Sequence, residues 1–260
     1  MNLDRRRRLR ERRRTLAAAV ELSRTGAHPF KGVMSDGSVF WCKQPSNPHG
    51  IEEVVNEVVA AVVSAAVGAP CREWAIVDVP AELVSTSVPG STVRLQPGPY
   101  FGSAAVHTAV ESDELTYVDR DDNYERIPRL IAAWLLCNAE DIQMMYDLED
   151  SFSIWSLDHG FWFGSHERPW SLARPDQLQG RPELPGLDAV IPLPHWERAV
   201  EAVNALTREQ LDDVHALLPP EWNVPARTAD QLLDYVVSRR NYAVQELDRL
   251  AATGRTGRRR

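Results

Sequence analysis

The chain has 260 residues, 43% of them hydrophobic and 25% charged, enough to bury a substantial core in one large domain or two lobes. No apolar run approaches the ~18 residues of a membrane-spanning helix, and the arginine-rich start lacks the apolar core and small-residue cleavage site of a secretory signal. The net charge of −8 hides an asymmetry: residues 1–14 hold eight arginines against Asp4 and Glu11, residues 255–260 hold four more, and the body between is strongly acidic.

In chain order, the basic arm reads as a solvated extension that continues as a helix over 16–22 and stops near Thr25-Gly26. Two extended stretches follow, 29–34 and 39–42, joined by Ser35-Asp36-Gly37-Ser38. Asp-Gly between apolar runs is a hairpin signal. After a loop over 44–50, residues 51–67 form a Val- and Ala-rich helix closed by Gly68 with Pro70 beyond. Residues 74–79 read as a strand, and 84–103 as strands broken by prolines and glycines. The second half brings an apolar helix over 127–137, with Pro128 in its first turn, and a polar loop over 138–150. A short strand then runs into Asp158-His159-Gly160. Helices over 196–205, 208–217 and 228–250 end the chain. The layout is α+β and two-lobed: a basic extension (1–26), a β-rich lobe with one helix (27–108), a mainly helical lobe (109–250) and a disordered basic tail (251–260). Cys42, Cys71 and Cys137 are scattered and odd in number, which argues for reduced thiols and a cytoplasmic location. With no CxxC or HExxH, a zinc site is not expected.

Chemistry concentrates at three places. Asp158 ends an apolar strand and has a glycine two residues on, so its carboxylate is held by the scaffold yet open to a cleft. That suits a nucleotide-bound magnesium ion, although a plain strand-to-turn aspartate has the same pattern. Lys43 ends the second hairpin strand. If Val39 and Trp41 face the core, Lys43 shares their face and needs an anion. Glu57, among valines on the 51–67 helix, is its natural partner; the alternative is a lysine reaching solvent and a surface glutamate. Glu140 and Asp141 follow the second-lobe helix and could present a base to a substrate hydroxyl, or be ordinary loop acids.

These residues carry a resemblance. Phe40-Trp41-Cys42-Lys43, Asn56-Glu57, Val67-Gly68-Ala69-Pro70, Trp134 to Asn138, Ser156 to Gly160 and Leu218 to Trp222, in that order, resemble the HipA-like kinases, relatives of the HipA toxin kinases, across roughly residues 28–250. The resemblance implies a protein-kinase-like bilobal fold, ATP with Mg2+, and transfer of the γ-phosphoryl group to a hydroxyl of a protein, lipid or small molecule. It casts Lys43 as phosphate anchor, Glu57 as its helix partner and Asp158 as metal ligand. Related kinases usually show Asn-X-Asp-X-His-X-X-Asn in the catalytic loop. Counted from Asn138, those positions hold Glu140, Ile142 and Met145; shifted by one, they hold Asp141, Gln143 and Tyr146. The second register is preferred, because Gln143 keeps a hydrogen-bonding group where histidine would stand. Either register removes the asparagine ligand, so a pseudokinase or partner-binding module without turnover is the alternative. With no GxGxxG loop, Ser35 and Ser38 of the hairpin turn are the expected phosphate cover. Nucleic acid is expected only at the arginine-rich termini.

Overall fold

In the computed structural model, which describes residues 10–23, 28–164 and 182–256, the first part of the chain closes a small barrel. Strands β1 (Arg13–Leu22), β2 (Phe30–Met34), β3 (Val39–Lys43), β4 (Trp74–Asp78) and β5 (Pro99–Ala104) pair in the order β1-β2-β3-β5-β4. β4 then returns to β1 in parallel. The β2–β3 hairpin turns at Gly37 as its Asp-Gly pair predicts. Phe40 and Cys42 point into the barrel core with Leu16, Phe30, Met34 and Tyr100. Trp41 and Lys43 do share a face, but it lines a cleft and not the core.

The helix expected over 16–22 is a strand. Leu16, Ala19 and Leu22 pack on the barrel core, a spacing of three that imitates a helical repeat. It arises because the β1–β2 register slips between Leu16 and Ala18 and again between Ala19 and Glu21. Pairing with β2 overrides the helix propensity of the alanines. Arginines expected to be solvated here fasten β1 to its neighbours. Arg13 pairs with Asp78 at 2.6 Å, Arg14 with Asp36 and Glu73, and Arg12 lies over Trp74. Arg5 to Arg8 and residues 257–260 lie outside the described residues.

Helix α1 (Ile51–Val67) has the expected bounds. Val54, Val55, Val58, Val59 and Val63 are all fully buried, because α1 is enclosed between the barrel and the second lobe. It stops at Gly68, whose φ of 68° is left-handed and whose missing side chain leaves room for Arg129.

The second lobe is built on α2 (Asn123–Cys137), which starts earlier than its apolar run suggests. Buried Asn123 donates to the carbonyls of Tyr117 and Phe152 and accepts from the Ile154 amide. Beside it lies an antiparallel sheet of β6 (Ala109–Ser112), β7 (Gln143–Asp147) and β8 (Ser153–Leu157). β7 occupies the stretch expected to be a polar loop; Met144, Met145 and Tyr146 are buried in it. Helix α3 (Leu193–Ala205) follows. The expected 208–217 helix is two short ones, α4 (Arg208–Leu211) and α5 (Val214–Leu217), and the 228–250 helix divides into α6 (Ala226–Ser238) and α7 (Arg240–Thr256). α7 is helical through Thr256, into the stretch expected to be a tail. Between α6 and α7, fully buried Arg239 donates to the Leu135 carbonyl at 2.7 Å, pinning this end of the chain to α2.

Trp222, just before the last two helices, crosses to the barrel. Its indole N–H donates to the Pro99 carbonyl of β5 at 2.8 Å, and neighbouring Glu221 reaches Arg13 at 3.3 Å. All three cysteines are free, with Cys42 and Cys137 buried. Among the described residues no helix is long and apolar enough to cross a membrane.

Candidate active site

Between the lobes lies a cavity of about 320 Å³. Lys31, Trp41 and Lys43 of β2 and β3 line it from one side, with Phe101 and Ser103 of β5. Gln143, Met145, Leu157, Asp158 and His159 line it from the second lobe. A larger depression, near 770 Å³, lies on the helical lobe between Leu135, Trp196, Tyr242 and Leu250, away from every sequence candidate.

Three carboxylates meet one ammonium at the inner wall. Lys43 Nζ lies 2.6 Å from Glu57 Oε1, 2.6 Å from Asp158 Oδ1 and 3.0 Å from Glu53 Oε1. Glu53 and Glu57 sit one turn apart on α1 and so share a face. Only about 7% of Lys43 is exposed. Burial alone would lower its pKa, but Glu57, Asp158 and Glu53 together carry it well above its ordinary value. Burial likewise works to raise Glu57; Lys43 and then His159 overcome it and hold the carboxyl at about 2. For Glu53 burial wins over Lys43, and its pKa is raised.

Asp158 projects from a left-handed residue, φ 48°, directly after β8. A non-glycine residue held there is mild strain of the kind kept at working sites. The segment after it is bound to α1. The His159 amide donates to Glu57 Oε1 at 3.2 Å, and the His159 ring meets Glu57 Oε2 at 2.8 Å. Gly160 lies so close to Glu53 that a Cβ there would stand 2.4 Å from Glu53 Cγ. Trp162 and Phe163 are core residues.

The loop of Asn138 to Gln143 is built differently. Asn138 caps α2 in a left-handed conformation. Asp141 is exposed, at φ 52°, and its Oδ2 accepts from Gln143 Nε2 at 3.0 Å. Gln143 and Met145 line the cavity; Glu140, Asp141 and Ile142 do not. Tyr146 is fully buried, its hydroxyl engaged by the Thr116 amide and the Glu114 carbonyl. Ser35 and Ser38 also lie outside the cavity lining, and the Ser38 amide donates to Asp36 Oδ1 at 2.9 Å. Ser23 and Pro29, at the facing ends of β1 and β2, do line it.

The structure therefore brings Lys43, Glu57 and Asp158 together, adds Gln143 across the cavity, and keeps Ser35, Ser38, Glu140 and Asp141 off its walls. Sequence patterns alone do not single out Glu53, and they give Asn56 no role beyond its place beside Glu57 in the resemblance. An acid in the first turn of a helix reads as a partner for the helix dipole, and a helix asparagine reads as a surface residue. Their spacing of four and one from Glu57, which puts Glu53 on its face and Asn56 beside it, is the available signal.

The model of the HipA-like kinase family matches residues 19–134. The matched stretch holds Lys43 and Glu57 and ends before Asp158. The chain is also similar in structure to the proinflammatory kinase CtkA of Helicobacter pylori, at 10% identity and a TM-score of 0.53, covering 89% of this chain and 94% of that one. It is similar as well to a Golgi casein kinase with Mn and ADP bound, at 11% identity and a TM-score of 0.50, covering 96% and 77%. No curated protein matches it. The fold is kinase-like: a β-rich N-lobe with one helix, and a mainly helical C-lobe.

A divalent cation fits the charges at the inner wall. One ammonium against three carboxylates leaves excess negative charge in a largely buried place. Among the described residues no three His, Cys, Asp or Glu side chains form a metal cage. The remaining ligands would have to be phosphate oxygens and water, as is usual for Mg2+.

Proposed function

We propose that this chain is an ATP-dependent, Mg2+-requiring phosphotransferase acting on a hydroxyl acceptor. The observation that carries the reading is the Lys43 ammonium gripped by Glu57, Glu53 and Asp158 on the wall of an interlobe cavity. Glu57 would hold Lys43 ready for the α- and β-phosphates, and Asp158 would hold the cation, which would supply neutralising charge for the transferred group. Trp41, Met145 and Leu157 of the cavity wall would hold the base, an indole and a thioether being good partners for a purine face. Ser23 and Lys31, which line the cavity, would be available to the phosphates where Ser35 and Ser38, off its walls, would not. Asp141, oriented by Gln143, takes the acceptor's proton, with Glu140 as the other carboxylate in reach of the loop. Free, mostly buried thiols fit a cytoplasmic enzyme.

Titration calorimetry with ATP and Mg2+ tests the site. Asp158→Asn keeps the left-handed backbone comfortable while removing the charge. It should weaken Mg2+-dependent ATP binding by about 10–100-fold. Equal binding by the wild type and this variant would remove Asp158 from the site.

A second reading, nucleotide binding without turnover, is favoured by one observation: the loop carboxylates Glu140 and Asp141 stand off the cavity wall. Phosphate release or autophosphorylation from γ-labelled ATP decides between them. Turnover that falls about 100-fold or more in Asp141→Asn supports the first reading; binding with no turnover supports the second.

A further inference from the structure

Asn56 is fully buried on α1, next to Glu57, and its amide reaches the chain beyond Asp158. Nδ2 donates to the Gly160 carbonyl at 2.7 Å and to the Trp162 carbonyl at 3.1 Å. Both acceptors lie in the segment that leaves Asp158. A primary amide suits two such acceptors, because it carries two N–H donors on one nitrogen and no charge. Glu57 meanwhile accepts from the His159 amide and lies 2.8 Å from its ring. Residues 159, 160 and 162 are thus all tied to α1, and Asp158 has little freedom to swing away from the cavity.

The geometry points to Asn56 as a positioning residue for Asp158: by holding the Gly160 and Trp162 carbonyls to α1, it fixes the carboxylate where the phosphate-bound cation is taken up. The inference rests on the proposed reading of Asp158 as metal ligand. Removing a group that orients a metal ligand typically costs about ten- to a hundredfold in metal affinity, with the ligand itself intact.

The test compares ATP affinity with and without Mg2+ in the wild type, Asn56→Leu and Asn56→Ser, alongside their thermal melting. Asn56→Leu should lose roughly tenfold or more of the gain that Mg2+ brings, while metal-free ATP binding stays within about twofold. Asn56→Ser, which keeps one donor, should recover part of the gain and stands alone should the leucine variant fail to fold. If both variants keep the full Mg2+ gain, or if the metal-free and Mg2+ affinities fall together, the positioning role is wrong. A wild type whose ATP affinity is indifferent to Mg2+ instead overturns the metal reading of Asp158, and the role of Asn56 with it.

Discussion

The two sides of the cleft are held to very different degrees. On the α1 side, Lys43 has three carboxylates within 3.0 Å, and the segment after Asp158 is tied to α1 through Glu57 and Asn56. Every one of these groups except Asp158 is buried. On the opposite side, Asp141 is exposed and held by Gln143, itself a side chain of the same short loop-to-strand segment. Close ion pairs in a buried place leave few alternative arrangements, so this side fixes its geometry in advance. An exposed loop leaves positioning to whatever binds. The side that would grip nucleotide is built before the ligand arrives, and the side that would meet the acceptor is not.

The contrast is broken most directly at Lys43. Lys43→Met strands three carboxylates without their cation, and such a loss typically costs about 3–5 kcal/mol. Urea unfolding at pH 8 should show this drop. Less than about 1 kcal/mol would mean that the cluster is solvated and not fixed in advance.

Acid should separate the members of the cluster. Glu57 is depressed to about 2 from its ordinary 4.5, so its stabilisation is complete above pH 4.5 and is lost as the pH falls towards 2. Glu53 is raised, so its ionisation works against the fold as the pH rises through that raised value. Unfolding followed over a pH series should therefore show a loss of stability between pH 4.5 and 2 in the wild type. That slope should flatten in Glu57→Gln and survive in Glu53→Gln. A slope unchanged in Glu57→Gln would show that another carboxylate carries it.

Asp158→Asn should divide binding from stability. Glu53 and Glu57 still satisfy Lys43, and one of three crowded carboxylates is gone. Stability should stay within about 1 kcal/mol of wild type, or rise, as the Mg2+-dependent affinity falls. A large loss of stability would make Asp158 a structural partner of Lys43 first.

How much of this is legible in the sequence follows from how local each signal is. The Asp-Gly hairpin, the 51–67 helix with its glycine stop, and the strand into Asp158 are each written within a few consecutive residues. Lys43, Glu57 and Asp158 are legible because each sits at an element whose ends are clear. β1 is hidden because two register slips give its core residues a spacing of three. With β1 unseen, the end carrying Ser23 cannot be placed at the cavity, and the next turn, Ser35 to Ser38, takes its place in the reading. β7 is hidden by acidic neighbours, although Met144 to Tyr146 are buried. Glu53 and Asn56 depend on what a distant segment brings against α1, which no local pattern records.

The smallest effect belongs to the other side of the cleft. Asp141→Asn keeps the left-handed backbone, since asparagine adopts it as readily as aspartate. The side chain is exposed and loses no buried partner, so stability should move by less than about 0.5 kcal/mol. Mg2+-dependent ATP affinity should hold within about twofold, because positioning on the α1 side does not pass through this loop. Melting and calorimetry on this one variant therefore report on the contrast itself. A marked loss in either would mean that the loop is coupled to the Lys43 cluster, and that the two sides of the cleft are organised as one.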